Sequence, residues 1–112
     1  MFGEIWGVDP KVLQDEGYLR SLVIEAAEVA NMHLAEVRSW RFGGGGDKGG
    51  VSVIALVLES HIAIHTWPDH SYATIDVYTC GGHSLPWRAF DHLIGKLRPE
   101  RFTKTIINRS SQ

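Results

Sequence analysis

The sequence has little of several residue classes, and each shortage excludes a class of protein. A single cysteine, Cys80, cannot form a disulfide within the chain, so we expect a reducing, cytoplasmic setting. No apolar run reaches the roughly 18 to 20 residues that a membrane span needs, and the first residues do not resemble a signal peptide. Basic and acidic residues number 11 and 13, a balance that indicates neither nucleic acid nor a membrane as a partner.

The apolar content suits one packed core. Of the 112 residues, 44% are hydrophobic, which is enough for one domain over residues 1–112 and too little for two. Apolar residues at helical spacing predict one helix over residues 18–32 and another over residues 85–98, and Asp9-Pro10 predicts a shorter helix start. In the later helix, the side chains predicted to be buried are Trp87, Phe90, Leu93, Ile94 and Leu97.

Strand patterns fill most of the remaining chain, over residues 33–42, 51–58, 61–67, 72–80 and 101–107. Strands with two helices on one face make an α/β (α+β) fold, a two-layer sandwich with a mostly antiparallel sheet. The helix-facing side chains would be Ile62, Ile64, Ala73, Ile75 and Val77. The other face would carry His61, His65, Trp67, Thr74, Asp76 and Cys80. A second copy of the chain is the economical cover for such a face, so we expect a homodimer.

One stretch within these strands concentrates polar chemistry, since Glu59, Ser60, His61 and His65 stand within seven positions. On a strand, His61 and His65 would lie about 13 Å apart and cannot share an ion. Cys80 and His83 could still contribute ligands, but the glutamate and further ligands of a zinc enzyme are not evident, so no metal site is expected. The glycine-rich residues 43–50 lack the Gly-Lys-Ser/Thr ending of a phosphate-binding loop. A nucleophilic pair of Cys80 with a histidine stays open, because such a pair needs only proximity in space. Taken singly, each of these residues is better explained by a structural role: Cys80 as a small buried residue, the histidines as core or interface residues, and Ser60 as a turn residue.

Four segments taken together form a longer signature: Glu59-Ser60-His61, His65-Thr66-Trp67-Pro68, Tyr72-Ala73 and Asp76-Val77-Tyr78-Thr79-Cys80-Gly81. Their content and order resemble the prokaryotic pyruvoyl-dependent S-adenosylmethionine decarboxylases. The resemblance extends from Ile5-Trp6-Gly7-Val8-Asp9 to Pro86-Trp87-Arg88-Ala89 and so covers most of the chain. It also implies a first strand at the start of the chain, which the strand patterns alone do not predict.

The resemblance implies self-processing at the bond between Glu59 and Ser60. Ser60 would attack the carbonyl of Glu59 and turn the peptide bond into an ester. Elimination and hydrolysis would then leave a covalently bound pyruvoyl group at position 60 and two fragments, 1–59 and 60–112. Ser52 would steady the intermediate, and His65 would act as the base. In turnover the pyruvoyl ketone would condense with the substrate amine, and Cys80 would protonate the substrate carbon after carbon dioxide leaves.

Substrate recognition is where the sequence departs from that family. Phe42 would stack on adenine and Trp67 would also contact the substrate, but Asp69 stands where the family usually has glutamate. The resemblance still favours decarboxylation of S-adenosylmethionine for the synthesis of spermidine and other polyamines. Arginine or ornithine is the alternative, since Asp69 and Asp76 could bind the far end of a basic side chain. A third hypothesis, an inactive ligand-binding homologue, is disfavoured because the processing residues and the cysteine are all present.

Overall fold

An antiparallel sheet with helices on one face forms the fold in this computed structural model, which describes residues 1–42, 49–79 and 83–106. The elements in chain order are β1 (Phe2–Trp6), α1 (Pro10–Leu13), α2 (Glu16–Val29), β2 (Leu34–Phe42), β3 (Gly50–Val57), β4 (Ser60–Trp67), a 3-10 turn (Pro68–His70), β5 (Tyr72–Thr79), α3 (Pro86–Leu97) and β6 (Arg101–Phe102). The strand order is β2-β3-β4-β5-β1-β6, and neighbouring strands are antiparallel. The predicted two-layer α/β sandwich is confirmed.

Helix α1 begins where the sequence predicts a helix start. Pro10 occupies its first turn, and the side chain of Asp9 accepts the backbone N–H of Lys11 at 3.0 Å. Although α1 has only four residues, a buried hydroxyl ties it to the sheet. Thr66 of β4 donates from Oγ1 to the carbonyl of Leu13 at 2.8 Å. This bond satisfies a polar side chain that is fully buried.

Helix α2 is slightly displaced from its predicted span because of its capping residues. The side chain of Asp15 accepts the N–H of Tyr18 at 3.0 Å, so the helix begins at Glu16 rather than at residue 18. It ends at Val29 rather than at residue 32. Asn31 follows with a φ of 57°, a left-handed backbone that a continuing α-helix does not allow.

The core lies between the sheet and helices α2 and α3. The five side chains predicted to face the helices are Ile62, Ile64, Ala73, Ile75 and Val77, and all are fully buried. Opposite them, the helices contribute Leu19, Leu22, Val23, Ala26, Ala27, Ala89, Phe90, Leu93 and Leu97. The sequence therefore predicted correctly which side chains of β4 and β5 face the helices.

The prediction that Trp87 is buried is wrong, since its side chain is 49% exposed. Ala89 takes the interior position instead, together with the predicted Phe90. At 3.6 residues per turn, Trp87 lies roughly 100° around α3 from the centre of its buried residues. Helix α3 is therefore oriented with the small Ala89 in the interior and the large indole of Trp87 outside.

The edge of the sheet agrees with the expectation in one respect and differs from it in another. β1 is present at the start of the chain, as the resemblance implied, and it lies between β5 and β6. The strand predicted over residues 101–107 is regular only at Arg101–Phe102, followed by an isolated bridge between Phe2 and Thr105. Residue 107 lies outside the described residues.

The sheet face opposite the helices carries large apolar side chains that no described element covers. Trp40, Phe42, Leu56 and Trp67 are each between 38% and 50% exposed. The register of β3, β4 and β5 places Ser52, His61, His65, Thr74 and Asp76 on this open face, as predicted for the last four. Among the described residues, no helix is both long and apolar enough to cross a bilayer.

Candidate active site

The bond between Glu59 and Ser60 lies at the tight turn that joins β3 to β4. Ser60 is the first residue of β4 and pairs with Val57 on one side and with Thr79 on the other. Within the turn, Leu58 is 77% exposed, whereas Glu59 is buried. A turn at the end of a sheet exposes a peptide bond that a continuous strand would keep within its ladder. We call Glu59, Ser60 and the residues that contact them the turn end.

Two histidines from distant parts of the chain hold the Glu59 carboxylate. The backbone N–H of His33 donates to Oε1 at 3.0 Å, and Nδ1 of its ring lies 2.8 Å from Oε2. His83 Nε2 hydrogen-bonds the same Oε2. The imidazole of His33, then its N–H, and to a smaller extent His83 lower the pKa of Glu59 from 4.5 to about 2, although burial opposes the shift. The carboxylate is therefore ionised at neutral pH.

The Ser60 hydroxyl lies beside an imidazole of its own strand. Its Oγ is 3.3 Å from Nδ1 of His61, and Nε2 of His61 is 3.7 Å from a carboxylate oxygen of Asp76. A hydroxyl, an imidazole and a carboxylate are thus arranged in series. This order of groups orients a serine hydroxyl and favours loss of its proton. Tyr78 flanks the imidazole, with ring centroids 5.8 Å apart.

A second serine–histidine pair lies on the open face at the opposite end of the strands. Ser52 and His65 are cross-strand partners, and Ser52 Oγ is 2.8 Å from His65 Nδ1. His65 follows Ser60 by five residues, which on a strand corresponds to about 17 Å. One chain therefore does not bring Ser52 and His65 to Ser60. We call this region the distal end.

The three predicted substrate-binding residues also lie at the distal end. Phe42 ends β2 and pairs with Gly50, where a side-chain carbon would come within 2.6 Å of the Phe42 ring, so only glycine fits under the aromatic. Trp67 ends β4 and is 38% exposed. Asp69 follows in the 3-10 turn with 51% of its side chain exposed and 3.7 Å from His70. Together they form an aromatic and acidic rim.

Cys80, the predicted proton donor, lies outside the described residues. The residue before it is described. Thr79 pairs with Ser60 across β4 and β5 and shares a 2.7 Å hydrogen bond with Ser84. The end of β5 is therefore next to the processing bond.

The sequence assigned no role in processing to three histidines at the turn end. His33 and His83 follow α2 and β5, and nothing in their spacing from Glu59 marks them as its partners. Only the folded sheet brings these three segments together. His61 had a signal, because it is the third residue of the Glu59-Ser60-His61 motif, but its place on the open face was interpreted as part of an interface.

Comparison with known proteins gives this arrangement a context. A family model described as S-adenosylmethionine decarboxylase matches residues 1–110. The chain is 71% identical over 112 residues to an arginine decarboxylase proenzyme from Caldivirga maquilingensis, covering 100% of this chain and 83% of that protein. It is 66% identical over 110 residues to an arginine decarboxylase proenzyme from Pyrobaculum arsenaticum, covering 98% and 82%. The crystal structure of the adenosylmethionine decarboxylase from Aquifex aeolicus is similar with a TM-score of 0.80 and 33% identity, covering 99% of this chain and 92% of that one.

Proposed function

The chain belongs to the S-adenosylmethionine decarboxylase family, and from that premise we propose that it is a self-processing decarboxylase whose substrate is arginine. The coarser activity, pyruvoyl-dependent decarboxylation, holds for the family irrespective of the substrate. The observation that carries the choice of arginine is the identity to relatives named arginine decarboxylase proenzyme, 71% and 66%, against 33% to the structure named adenosylmethionine decarboxylase.

Arginine replaces the expectation of S-adenosylmethionine drawn from the sequence signature. The signature covers processing and protonation, which do not depend on the rest of the substrate, so it is a poor guide to specificity. The residue that departed from the family, Asp69, is a substrate-binding position. A second carboxylate supports the proposal. Asp76 pairs with Ala63, three residues or about 10 Å along β4 from Ser60. That span is comparable with an extended arginine, and a carboxylate is the group that binds a guanidinium best.

Processing starts from the Ser60 hydroxyl. The oxygen bonds to the carbonyl carbon of Glu59, and the peptide C–N bond breaks, leaving an ester and a free amine on residue 60. Loss of the α-proton of residue 60 then releases the new carboxylate of Glu59. Water replaces the nitrogen, which leaves as ammonia, and the fragments are 1–59 and 60–112. His61 orients the attacking hydroxyl at 3.3 Å.

Proenzyme decarboxylases of this family carry a covalently bound pyruvoyl group that comes from a serine, here Ser60. The site fits such a group, because residue 60 is the first residue of β4, is half-buried and lies next to an imidazole. Residue 60 would hold the group, which would supply a ketone for attachment of the substrate amine and an electron sink for decarboxylation. Cys80 stays the predicted donor of the proton that replaces carbon dioxide, next in sequence to Thr79, the strand partner of Ser60.

In this proposal, Ser52 and His65 at the distal end of one chain assist processing at Ser60 of a second copy of the chain. The strand length separates Ser52 and His65 from their own Ser60 by about 17 Å, too far for a base or for stabilising the ester. The open face with its exposed Trp40 and Leu56 supplies an apolar surface for a homodimer. If the open faces of two chains pack against each other with their strands antiparallel, the distal end of each chain lies against the turn end of the other. His65 as the base of processing depends on this arrangement.

The experiment that tests the substrate is release of labelled carbon dioxide from arginine, ornithine and S-adenosylmethionine, each supplied alone to processed enzyme. Arginine is expected to be turned over fastest. Uncleaved Ser60→Ala protein is the control and should release none from any of the three. Turnover of S-adenosylmethionine without turnover of arginine would overturn the substrate and leave the self-processing proposal intact.

A further inference from the structure

Glu59 and its two histidines form a group with the ligand chemistry of a metal site. His33 Nδ1, His83 Nε2 and a Glu59 carboxylate oxygen all lie within 4.8 Å of one another. Within residues 1–42, 49–79 and 83–106, this is the one set of three potential metal ligands so closely grouped. The other imidazole–carboxylate pairs described, such as His92 with Glu25 at 2.9 Å, join a single imidazole to a carboxylate.

The way the group is held is typical of a prearranged site. Glu59 is anchored, with 5% of its side chain exposed and its second oxygen accepting the His33 N–H at 3.0 Å. A hydrogen bond to the outer oxygen of a ligating carboxylate fixes its orientation. The backbone on both sides is also held, since Asn31 donates to the carbonyl of His83 at 3.2 Å and the N–H of Leu58 donates to the carbonyl of His33 at 2.9 Å.

The exposure of the imidazoles provides a path of entry and room to adjust. The side chains of His33 and His83 are 64% and 48% exposed, so both rings border solvent. With metal–ligand bonds of about 2.0 to 2.2 Å, tetrahedral ligand atoms stand roughly 3.4 Å apart. Both imidazole nitrogens must therefore move away from the Glu59 oxygen: His33 Nδ1 opens its 2.8 Å contact by a little over half an ångström, and His83 Nε2, which lies closer, moves further. Exposed imidazoles make such a shift by side-chain rotation alone.

We propose that His33, Glu59 and His83 form a divalent-cation site of the zinc class. Two imidazole nitrogens and one carboxylate oxygen are the donor set that zinc uses when a fourth position stays open to water. Magnesium and calcium prefer oxygen ligands and suit this set poorly. An ion bound there fixes the turn that carries the Glu59–Ser60 bond. The site goes beyond the proposed decarboxylation and does not depend on it, because all three ligands are in place in the uncleaved chain.

The test uses untagged Ser60→Ala protein, so that cleavage is not a variable. Zinc is titrated against a competing chromophoric chelator, and cobalt(II) is added separately to record its visible absorption. We expect one equivalent of zinc per chain and the intense visible bands of four-coordinate cobalt. Loss of an outer-shell partner already weakens metal binding by about 10- to 100-fold, so His33→Gln or His83→Gln on this background should cost about 100-fold or more.

Two matched variants decide where the ion sits. His92→Gln removes an imidazole from the comparable pair with Glu25 and should leave zinc affinity unchanged. Cys80→Ala removes the only thiol and should also leave it unchanged. The proposal is overturned if no stoichiometric zinc binds, if affinity survives both glutamine variants, or if it depends on Cys80 alone. If either glutamine variant unfolds, stabilisation of the parent Ser60→Ala chain by zinc, read as a rise in Tm that Glu59→Gln abolishes, gives the same decision. A gel of unsubstituted protein separately reports self-cleavage, so failure of the two proposals can be told apart.

Discussion

At the turn end, Ser60 and Glu59 lie beside side chains of the same chain, whereas at the distal end Ser52 and His65 contact each other but lie far from Ser60. Ser60 has His61 at 3.3 Å, and Glu59 is held by two imidazoles. Ser52 and His65 are closer still, at 2.8 Å, but stand about five strand residues from the scissile bond. The predicted nucleophile and the bond that it attacks therefore lie together at the turn end, whereas Ser52 and His65, predicted to assist processing, lie at the distal end.

The difference between the two ends follows from strand geometry. Two residues that are only a few positions apart in the sequence can be far apart on a strand, because each residue adds about 3.3 Å. Within β4, Ser60 is the first residue and His65 is the sixth of eight. In the proposed homodimer, packing of the two open faces against each other would place His65 of one chain near Ser60 of the other. Four substitutions, from the largest expected effect to the smallest, test this contrast.

Replacing Ser60 with alanine should abolish cleavage altogether, since no other group can form the ester with Glu59. Mature wild-type protein should separate on a denaturing gel into fragments 1–59 and 60–112, and the variant should run as one chain. Intact mass identifies the cut to the residue. Cleavage at the same bond in the alanine variant would show that Ser60 is not the nucleophile, and the contacts of its hydroxyl would then not explain processing.

Replacing His65 with alanine should slow cleavage by about 10²- to 10⁴-fold, the range for loss of a general base. If His65 acts on the partner, co-expression with Ser60→Ala should restore cleavage of the His65→Ala chain, because the uncleavable copy brings an intact His65. Distinguishable masses report which chain is cut. Absence of recovery in proven heterodimers would place His65 and Ser60 in the same chain's chemistry and break the contrast drawn above.

Replacing His61 with alanine should slow cleavage by about fivefold, because a hydrogen bond contributes about 1 kcal/mol and about 1.4 kcal/mol corresponds to tenfold in rate. The effect should be confined to the chain that carries the substitution and should not be complemented. His70→Ala is the matched control, an exposed imidazole 3.7 Å from Asp69 at the distal end. A loss as large as that of His65→Ala would make His61 the base.

The smallest effect expected is on stability at the distal end. Tyr72 donates to Glu4 at 2.5 Å, and this hydrogen bond to a carboxylate raises the pKa of Tyr72 from 10.0 to about 12. Because the folded pKa is the higher one, the contribution is fully present below pH 10 and is lost as the pH rises toward 12. Tyr72→Phe should cost about 1 kcal/mol of unfolding free energy at neutral pH. The difference from wild type should shrink above pH 10 in denaturant titrations, and a constant difference would contradict the assignment.

The amino-acid sequence by itself determined the order of elements, the parity of β4 and β5, and the processing motif. Alternation places Ile62, Ile64 and Ile75 on one face because successive side chains on a strand point to opposite sides, a rule that needs no tertiary information. The motif at Glu59 and Ser60 is similarly contiguous. Local periodicity did not correctly predict which side of α3 faces the sheet, because Trp87 was predicted to be buried and is exposed. Rotation depends on how closely the helix approaches the sheet, which is a property of both partners.

Only the tertiary structure decided which residues meet. His33, Glu59 and His83 come from three separate segments, and their approach depends on how α2, the β3–β4 turn and the loop before α3 pack at one end of the sheet. The tertiary structure also decided that Ser52 and His65 are partners, because the register of β3 and β4 pairs them across the two strands. Both lie far from Ser60, because each residue along a strand adds about 3.3 Å. Sequence patterns report periodicity within an element. Contacts between elements depend on where packing brings their ends together, and no local pattern encodes that.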